Sequence, residues 1–490
     1  RPPRTFVVDL PTDGVLDRPD VDSVAPWRDA IRPSWICFAR SGELLSGDCK
    51  HRNIRLGIVR DLMFRMDRRT FVASSAVGLA AMRAARLWAA TPDESPLGIN
   101  PTVIADYSTE FPFADLMKYT SPWVPQAEGA KWGNGEPLEM ANDGRTIKRL
   151  KKYQYATLVA CESGGQPEGK YRCTYEGKGR LQFAGTSRIT GGRAGDLEVN
   201  IYSDPEEGVL IHLRDTDPAD PLRSIQLMMP GTKKDASFNP NFVKRCRNFQ
   251  VIRFMDWMRT NNSPVKSWSD RPTKAALSYA EKGVPLETMI ELANQTGCDP
   301  WFCMPHQADD QFVESFATAV SQQLDESRRI YVEYSNEVWN HMFGQAHYAA
   351  DQGEELGLSR NSFQAEMRYY AKRSVEVFKI WNRVFSKQDR LIRVLGSQHA
   401  NPWVTEEVLE FEQAYKHADV LAVAPYFGHE IGSPEVAKQA AKLTVDDILE
   451  RCAAEFAEVR RLTEEHAVWA KKRDLKLIAY EGGQHLVGNE

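Results

Sequence analysis

The chain has 490 residues, of which 42% are hydrophobic and 26% charged, and its formal net charge is -5 at pH 7. These values are those of an ordinary globular protein with two or three domains. No basic stripe accompanies the negative charge balance, so we expect no nucleic-acid partner. No apolar run reaches the ~18 residues that a membrane span needs, so we expect no membrane span.

The first distinctive segment is residues 66–90, MDRRTFVASSAVGLAAMRAARLWAA. A pair of arginines precedes a short stretch of small and apolar residues, and an alanine-rich segment follows it. The segment resembles a twin-arginine export signal that begins at Met66, which implies a periplasmic or extracellular protein. Arg83 and Arg86 interrupt the apolar stretch, and a plain amphipathic helix is the alternative.

Residues 1–65 differ in composition from the rest of the chain. They contain ten arginines but only one lysine, Lys50, whereas lysine is common from Lys118 onward. They also lack a sustained apolar periodicity. We interpret residues 1–65 as upstream translation or a disordered segment that is not part of the working protein.

Residues 91–150 are predicted to hold a short buried strand at 97–100 and a helix with Phe113, Leu116 and Met117 on one face. Residues 151–230 contain six short alternating runs, separated by Gly, Pro and Asp clusters, which predict an inserted or accessory β-sandwich. The six runs are 155–160, 169–175, 180–184, 197–202, 208–213 and 222–228.

From residue 231 to 490, apolar strands alternate with amphipathic helices, and this alternation predicts parallel strands joined by crossover helices. With the run at 97–100, the pattern contains seven strands. The further strands are predicted at 250–255, 299–304, 330–335, 391–396, 420–425 and 475–480, and the helices at 286–296, 309–327, 345–386, 404–416 and 434–472.

A doubly wound sheet and a barrel both satisfy this alternation. Polar or aromatic residues follow each apolar strand, and in a barrel such strand ends converge on one mouth. No Gly-rich turn follows the first strand, which disfavours a dinucleotide-binding fold. We therefore predict an α/β fold of the (β/α)8 TIM-barrel type. Because the chain stops nine residues after Glu481, we expect the barrel to be truncated before strand eight, and the sequence leaves open whether a fragment without that strand is active.

Two glutamates end apolar strands in this pattern. Glu337 lies in YVEYSNEVWN (331–340), and Glu481 lies in LKLIAYEGGQH (475–485). Cleavage of a glycosidic bond requires a proton donor for the leaving oxygen and a carboxylate beneath the anomeric carbon. The alternative interpretation of the pair is an ion pair at the rim. Glu333, a third carboxylate on the same strand as Glu337, lies deeper, and we expect it to pair with a lysine or arginine.

The Asn-Glu pair at the end of the fourth strand and the Glu at the end of the seventh resemble the clan A glycoside hydrolases. This resemblance covers residues 97 to 481, interrupted by the predicted sandwich. It implies that Glu337 is the acid/base, that Asn336 binds the substrate 2-hydroxyl and that Glu481 is the nucleophile. The expected function is an exported retaining glycosidase that cleaves a polysaccharide or oligosaccharide by double displacement, without a cofactor.

Further residues are predicted to bind substrate. Arg253 resembles the clan's arginine that keeps the nucleophile ionised, and His306 and Tyr426 resemble residues around the reacting sugar. For these three residues the alternative is a structural hydrogen bond. Trp339 and Gln398, which follow the fourth and fifth strands, complete the predicted set.

Two other functions are weighed against the glycosidase. A non-catalytic carbohydrate-binding protein on the same scaffold would not need two facing carboxylates. An acyl or phosphoryl hydrolase would need a nucleophile elbow or a metal cluster, but no G-x-S-x-G, P-loop or H-E-x-x-H motif occurs. His341 and His347 lie six residues apart, a spacing that does not predict a metal site.

Overall fold

The computed structural model describes residues 97–486 except 143, 144, 163, 205, 386, 387 and 441. The predicted upstream segment at 1–65 and the export signal at 66–90 lie outside the described residues. Within the described residues, none of the helices combines the length and the apolar character that crossing a membrane requires.

A short strand, β1 (Gly98–Ile99), is followed by a region of antiparallel sheets. We call residues 124–228 the antiparallel region. One sheet has the order β2-β5-β10-β7, a second has the order β11-β6-β9-β8, and β3 and β4 form a small hairpin. The strands are β2 (Val124–Ala127), β3 (Glu139–Met140), β4 (Ile147–Arg149), β5 (Gln154–Cys161), β6 (Gly169–Glu176), β7 (Gly179–Gly185), β8 (Ser187–Arg193), β9 (Asp196–Ile201), β10 (Val209–Thr216) and β11 (Arg223–Met228).

Six of these strands coincide with the six alternating runs in the sequence. Their inward residues are buried in one hydrophobic core, as for Tyr171, Val199 and Ile211. The strand β8 was not predicted because most of its residues are exposed and two are glycines, so that it has no apolar alternation.

The rest of the chain alternates strands with helices. The strands are β12 (Val251–Arg253), β13 (Asp299–Met304), β14 (Ile330–Tyr334), β15 (Leu391–Gly396), β16 (Val420–Val423), β17 (Tyr426–Phe427), β18 (Lys476–Ala479) and β19 (Gly483–Gln484). The helices are α1 (Pro240–Cys246), α2 (Leu286–Thr296), α3 (Asp310–Gln323), α4 (Gly344–Glu355), α5 (Ser362–Val384), α6 (Pro402–Glu410), α7 (Pro434–Ala440) and α8 (Val445–Lys472). Short 3-10 segments lie at Leu116–Tyr119, Trp268–Asp270, Gln388–Arg390, Phe411–His417 and His429–Gly432.

The (β/α)8 barrel predicted from the alternation is wrong. The described residues form an open sheet of seven parallel strands in the order β1-β12-β13-β14-β15-β16-β18. A barrel requires every strand to have two neighbours, but within the described residues β1 and β18 do not pair with each other. The strand β19 pairs with β17. The sheet is nevertheless curved, since Asn100 Nδ2, after β1, donates to Tyr480 O, after β18, at 3.1 Å.

The helix predicted around Phe113 is also absent, and a 3-10 turn at Leu116–Tyr119 takes its place. Asp115 Oδ1 accepts hydrogen bonds from Met117 N at 3.0 Å and from Leu227 N in β11 at 2.8 Å. This side chain therefore ties the turn to the antiparallel region. The connection from β1 to β12 runs through that region and α1, not through one crossover helix.

The helices cover the sheet through the apolar stripes that the sequence predicted. In α3, Asp309 caps the first turn by accepting from Phe312 N at 2.6 Å, and Phe316 packs edge-on against Phe302 of β13 at 5.1 Å. The predicted long helix at 345–386 is two helices, because Gly357 takes a positive φ of 64° after α4. The helices therefore pack on the sheet, and the carboxyl ends of its parallel strands share one edge.

Candidate active site

Arg253 organises the carboxyl edge of the parallel sheet. It is the last residue of β12 and is 2% exposed. Its guanidinium donates to Glu333 Oε2 from Nε at 3.1 Å and from Nη2 at 2.9 Å, and to Glu481 Oε1 from Nη1 at 3.0 Å. Nη2 also donates to Asn336 Oδ1 at 2.8 Å. One buried cation therefore joins residues from β12, β14 and the segment after β18.

Among the described residues, Glu481 has two hydrogen-bond donors, and its side chain is 16% exposed, more than those of Arg253 and Glu333. Arg253 donates to Oε1, and the Tyr426 hydroxyl donates to Oε2. Charge-assisted hydrogen bonds of this kind suit an ionised carboxylate. Each oxygen of the Glu481 carboxylate therefore has its own donor, Arg253 for Oε1 and Tyr426 for Oε2.

Glu337 lies in a different environment from Glu481. Its side chain accepts from Tyr480 OH at 2.9 Å and from Asn340 Nδ2 at 3.1 Å. Burial, with the negative charge of Glu481 as the second cause, raises the pKa of Glu337 to about 7. Near neutral pH this carboxyl group therefore retains a proton in part of the molecules, as a general acid must.

The backbone around Glu337 has an uncommon conformation. Ser335 and Glu337 both have positive φ, at 60° and 40°. Non-glycine residues rarely adopt such angles, and they cluster at functional sites where the surroundings hold them in place. The support comes from Gln345, whose Nε2 donates to Asn336 O at 2.8 Å and to Asn261 Oδ1 at 2.7 Å.

The other predicted site residues lie at varied distances from this cluster. His306 is buried beside Tyr348, at 5.3 Å between ring centroids, and burial lowers the pKa of His306 to about 4. Gln398 is half-buried after β15, and among the described residues its Oε1 has no hydrogen-bond partner. The structure thus brings together Arg253, Asn336, Glu337, Tyr426 and Glu481, while His306 contacts other residues, among them Tyr348 and Gln307.

Trp339 is 5% exposed and packs against Tyr370 and Tyr480, with ring centroids 6.2 Å and 6.5 Å away. Its ring is therefore not an open surface for a sugar. It buries Tyr480, the residue that donates to Glu337.

Several residues of the site were missed by sequence reasoning. Tyr480 and Asn340 both donate to Glu337, and their positions directly before Glu481 and three residues after Glu337 were available signals. Asp256, three residues after Arg253, also belongs to the cluster. Burial, followed by the charge of Glu481, raises the pKa of Asp256 to about 7.

Replacing Arg253 with methionine is expected to lower the free energy of unfolding by about 3–5 kcal/mol, because the buried Glu333 and the partly buried Glu481 would lose their counter-ion. Urea denaturation measures this loss. Arg461→Met is the matched control, since Arg461 forms exposed pairs with Glu458 and Glu465, and exposed ion pairs contribute little to stability. Equal losses in the two variants would contradict the central position of Arg253.

Glu337→Gln is expected to change how stability depends on pH. The folded protein holds the Glu337 proton more tightly than the unfolded chain does, in which the pKa of a glutamate is near 4.5. This difference stabilises the fold at pH values below 4.5, and the stabilisation is lost as pH rises through about 7. Glutamine does not ionise, so the variant should match the parent at pH 4 and exceed it by about 3 kcal/mol at pH 9. Denaturation at both pH values measures this difference. The control is Glu435→Gln, at an exposed position; the same alkaline gain in the control would refute the prediction.

No protein-family model and no curated protein sequence matches the chain. Among the residues that the structure describes, no group of three or more His, Cys, Asp and Glu side chains is arranged to hold a metal ion.

Proposed function

We propose that the chain is a retaining glycoside hydrolase that acts on a polysaccharide or oligosaccharide. The observation that carries the proposal is the pair of carboxylates with opposite surroundings. Glu481 accepts from Arg253 and Tyr426, whereas Glu337 is buried and has a pKa raised to about 7. Double displacement needs one ionised and one protonated carboxyl group.

In the proposed reaction, Glu481 attacks the anomeric carbon and forms a glycosyl-enzyme ester. Glu337 donates its proton to the glycosidic oxygen, so that the leaving sugar departs as an alcohol. A water molecule then attacks the anomeric carbon and transfers a proton to Glu337, and Glu481 leaves as a carboxylate. Two inversions at one carbon return the original anomeric configuration.

Arg253 and Tyr426 have a positioning role in this scheme. Arg253 donates to one oxygen of the Glu481 carboxylate and Tyr426 donates to the other. These two hydrogen bonds fix the orientation of the carboxylate toward the sugar. Tyr480 does the same for Glu337. When the ester forms, the negative charge on Glu481 disappears and its effect on the pKa of Glu337 is removed. The pKa of Glu337 therefore falls, which suits the change from acid to base in the second step.

The resemblance to clan A glycoside hydrolases rests on Asn336, Glu337 and Glu481, and it supports the roles proposed for these three residues. Asn336 uses Oδ1 to accept from Arg253, and Nδ2 donates to Asn261 Oδ1 at 3.0 Å. An amide nitrogen carries two hydrogens, so the second is the group that would donate to a sugar 2-hydroxyl.

The proposal is tested by incubating the protein with a panel of aryl glycosides and polysaccharides and following the first product by proton NMR. We expect release of a sugar whose anomeric configuration equals that of the substrate. Inverted product would contradict double displacement. Saccharide binding without any hydrolysis across the panel would favour the carbohydrate-binding alternative.

Export belongs to the same proposal, because a polysaccharide substrate lies outside the cell. The motif that supports it is the arginine pair Arg68 and Arg69. In a bacterial host with twin-arginine translocation, changing both to lysine should leave the protein in the cytoplasm, as measured by cell fractionation. Unchanged export of the double variant would refute this part of the proposal.

A further inference from the structure

Three amide side chains meet beside the turn that carries Glu337. Gln345, at the start of α4, and Asn336 are buried, whereas Asn261, in the loop after β12, is partly exposed. The amide of Asn261 accepts from both of the others, from Gln345 Nε2 at 2.7 Å and from Asn336 Nδ2 at 3.0 Å. Of these three residues, only Asn336 contacts the substrate in the reaction proposed above.

The orientation of the Gln345 amide is fixed by backbone groups that can only donate or only accept. The N–H of Asn262 can only donate, and it lies 3.0 Å from Gln345 Oε1. The other end of the amide lies 2.8 Å from the carbonyl oxygen of Asn336, which can only accept, so this end is the nitrogen. Gln345 Nε2 therefore also donates to Asn261, and the Asn261 atom that it faces is Oδ1.

A second chain of hydrogen bonds gives the same orientation for Asn261. A guanidinium has no acceptor, so the Asn336 atom that Arg253 Nη2 approaches at 2.8 Å is Oδ1. The Asn336 atom that faces Asn261 is then Nδ2, a donor, and its partner is again Asn261 Oδ1. The two chains begin at different donors and agree. Asn261 Oδ1 therefore faces Gln345 and Asn336, and Asn261 Nδ2 points away from both.

The nitrogen of the Asn261 amide is an accessible donor. Among the described residues, the side-chain hydrogen bonds of Asn261 use Oδ1, and Nδ2 is not one of the buried atoms that lack a partner. The loop around it is held at both ends, since Thr260 Oγ1 donates to Met255 O at 2.9 Å and Gly344 N donates to Asn262 Oδ1 at 2.6 Å. The donor therefore has a fixed direction before any ligand binds, which lowers the entropy cost of binding.

We propose that Asn261 is a specificity-determining residue that donates from Nδ2 to the 3-hydroxyl of the sugar whose glycosidic bond is cleaved. The assignment rests on the proposed function and on the role of Asn336 at the 2-hydroxyl. A hydrogen bond joins the two amides, so their remaining N–H groups suit oxygens on neighbouring carbons. Beside the 2-hydroxyl these are the reacting carbon and the carbon of the 3-hydroxyl. Gln345 is buried and acts through Asn261, as a positioning residue.

The test measures the coupling between the Asn261 side chain and single hydroxyls of the substrate. The parent is assayed with 4-nitrophenyl α- and β-glycosides of glucose, galactose, mannose and xylose, and the monodeoxy analogues of the fastest substrate are then compared. In the parent, loss of the 3-hydroxyl should lower kcat/KM by about 10-fold. Asn261→Ala should lower kcat/KM on the complete glycoside by a similar factor. In this variant the further loss on the 3-deoxy glycoside should be under about 3-fold, because two changes that remove one interaction are not additive.

Gln345→Glu should abolish the same coupling without touching the substrate. Its carboxylate would set oxygens against the Asn336 carbonyl and Asn261 Oδ1, which favours the reversed Asn261 amide. Asn248→Ala and Gln322→Glu, at exposed positions, are the matched controls and should retain the parental dependence on the 3-hydroxyl. Melting temperatures establish that each variant is folded. If Asn261→Ala is not, Asn261→Asp gives the answer, since it retains an oxygen for both donors and has no donor nitrogen.

Additive losses in the Asn261 variant, or coupling to a hydroxyl other than the 3-hydroxyl, would overturn the assignment. A parental rate that does not depend on the 3-hydroxyl would overturn it as well. The two possible failures are distinguishable. Hydrolysis with additive losses refutes the role of Asn261 alone, whereas a parent that hydrolyses no glycoside of the panel refutes the glycosidase and the role of Asn261 together.

Discussion

Glu481→Ala is expected to lower kcat by about 10⁴-fold or more, because the variant has no carboxylate to attack the anomeric carbon. The rate should be measured with an activated aryl glycoside, whose leaving group needs little help, so that the loss reports on the nucleophile alone. Glu435→Ala, at an exposed position on α7, is the control and should retain the parental rate.

External azide distinguishes the loss of a nucleophile from a general disturbance of the site. In Glu481→Ala, azide can enter the vacated space and attack the sugar once, which yields a glycosyl azide of inverted configuration. Azide should therefore not restore product with the original configuration. A variant that retains more than about a tenth of the parental kcat would contradict the assignment of Glu481.

Glu337→Ala is expected to lower kcat/KM by about 10²–10⁴-fold on substrates with sugar leaving groups. The loss should be much smaller on activated aryl glycosides, since a good leaving group departs without full protonation. Comparing both substrates in the same variant measures this difference. An equal fall on both would mean that Glu337 is not the proton donor.

The pH profile gives an independent measure of the same role. Because burial and Glu481 raise the pKa of Glu337 to about 7, kcat/KM of the parent protein should fall as pH rises through that range. In Glu337→Gln this alkaline limb should disappear or move. Persistence of the limb at the same pH, with activity intact, would assign the titration to another group, of which Asp256 is the first candidate.

Much of the site follows from patterns within single strands. Apolar runs end at Arg253, Asn336 and Glu481 in the sequence, and each of these residues lies at the carboxyl edge of the parallel sheet. For Arg253 and Asn336 the reason is local: a buried strand needs consecutive apolar residues, and the first polar residue after them marks where the chain leaves the core. The strand before Glu481 is instead a partly exposed edge strand. Glu333 was expected to pair with a basic residue, and Arg253 is its partner.

The parts that the sequence did not predict depend on contacts between distant residues. Whether the sheet closes depends on pairing between β1 and β18, and no periodicity within either strand encodes that pairing. Tyr480 donates to a residue 143 positions away, so its role follows only from the curvature of the sheet. Trp339 was assigned to substrate, but its surroundings in three dimensions bury it against Tyr480.

The most direct test of the central claim is to trap the glycosyl-enzyme. A 2-deoxy-2-fluoro glycoside with a good leaving group slows both steps, and the second step more, so that the ester accumulates. Mass spectrometry of the intact protein should show one added fluorosugar, and peptide mapping should locate it on Glu481. Activity without any labelled protein, or a label on Glu337 or Glu333, would contradict the proposed mechanism.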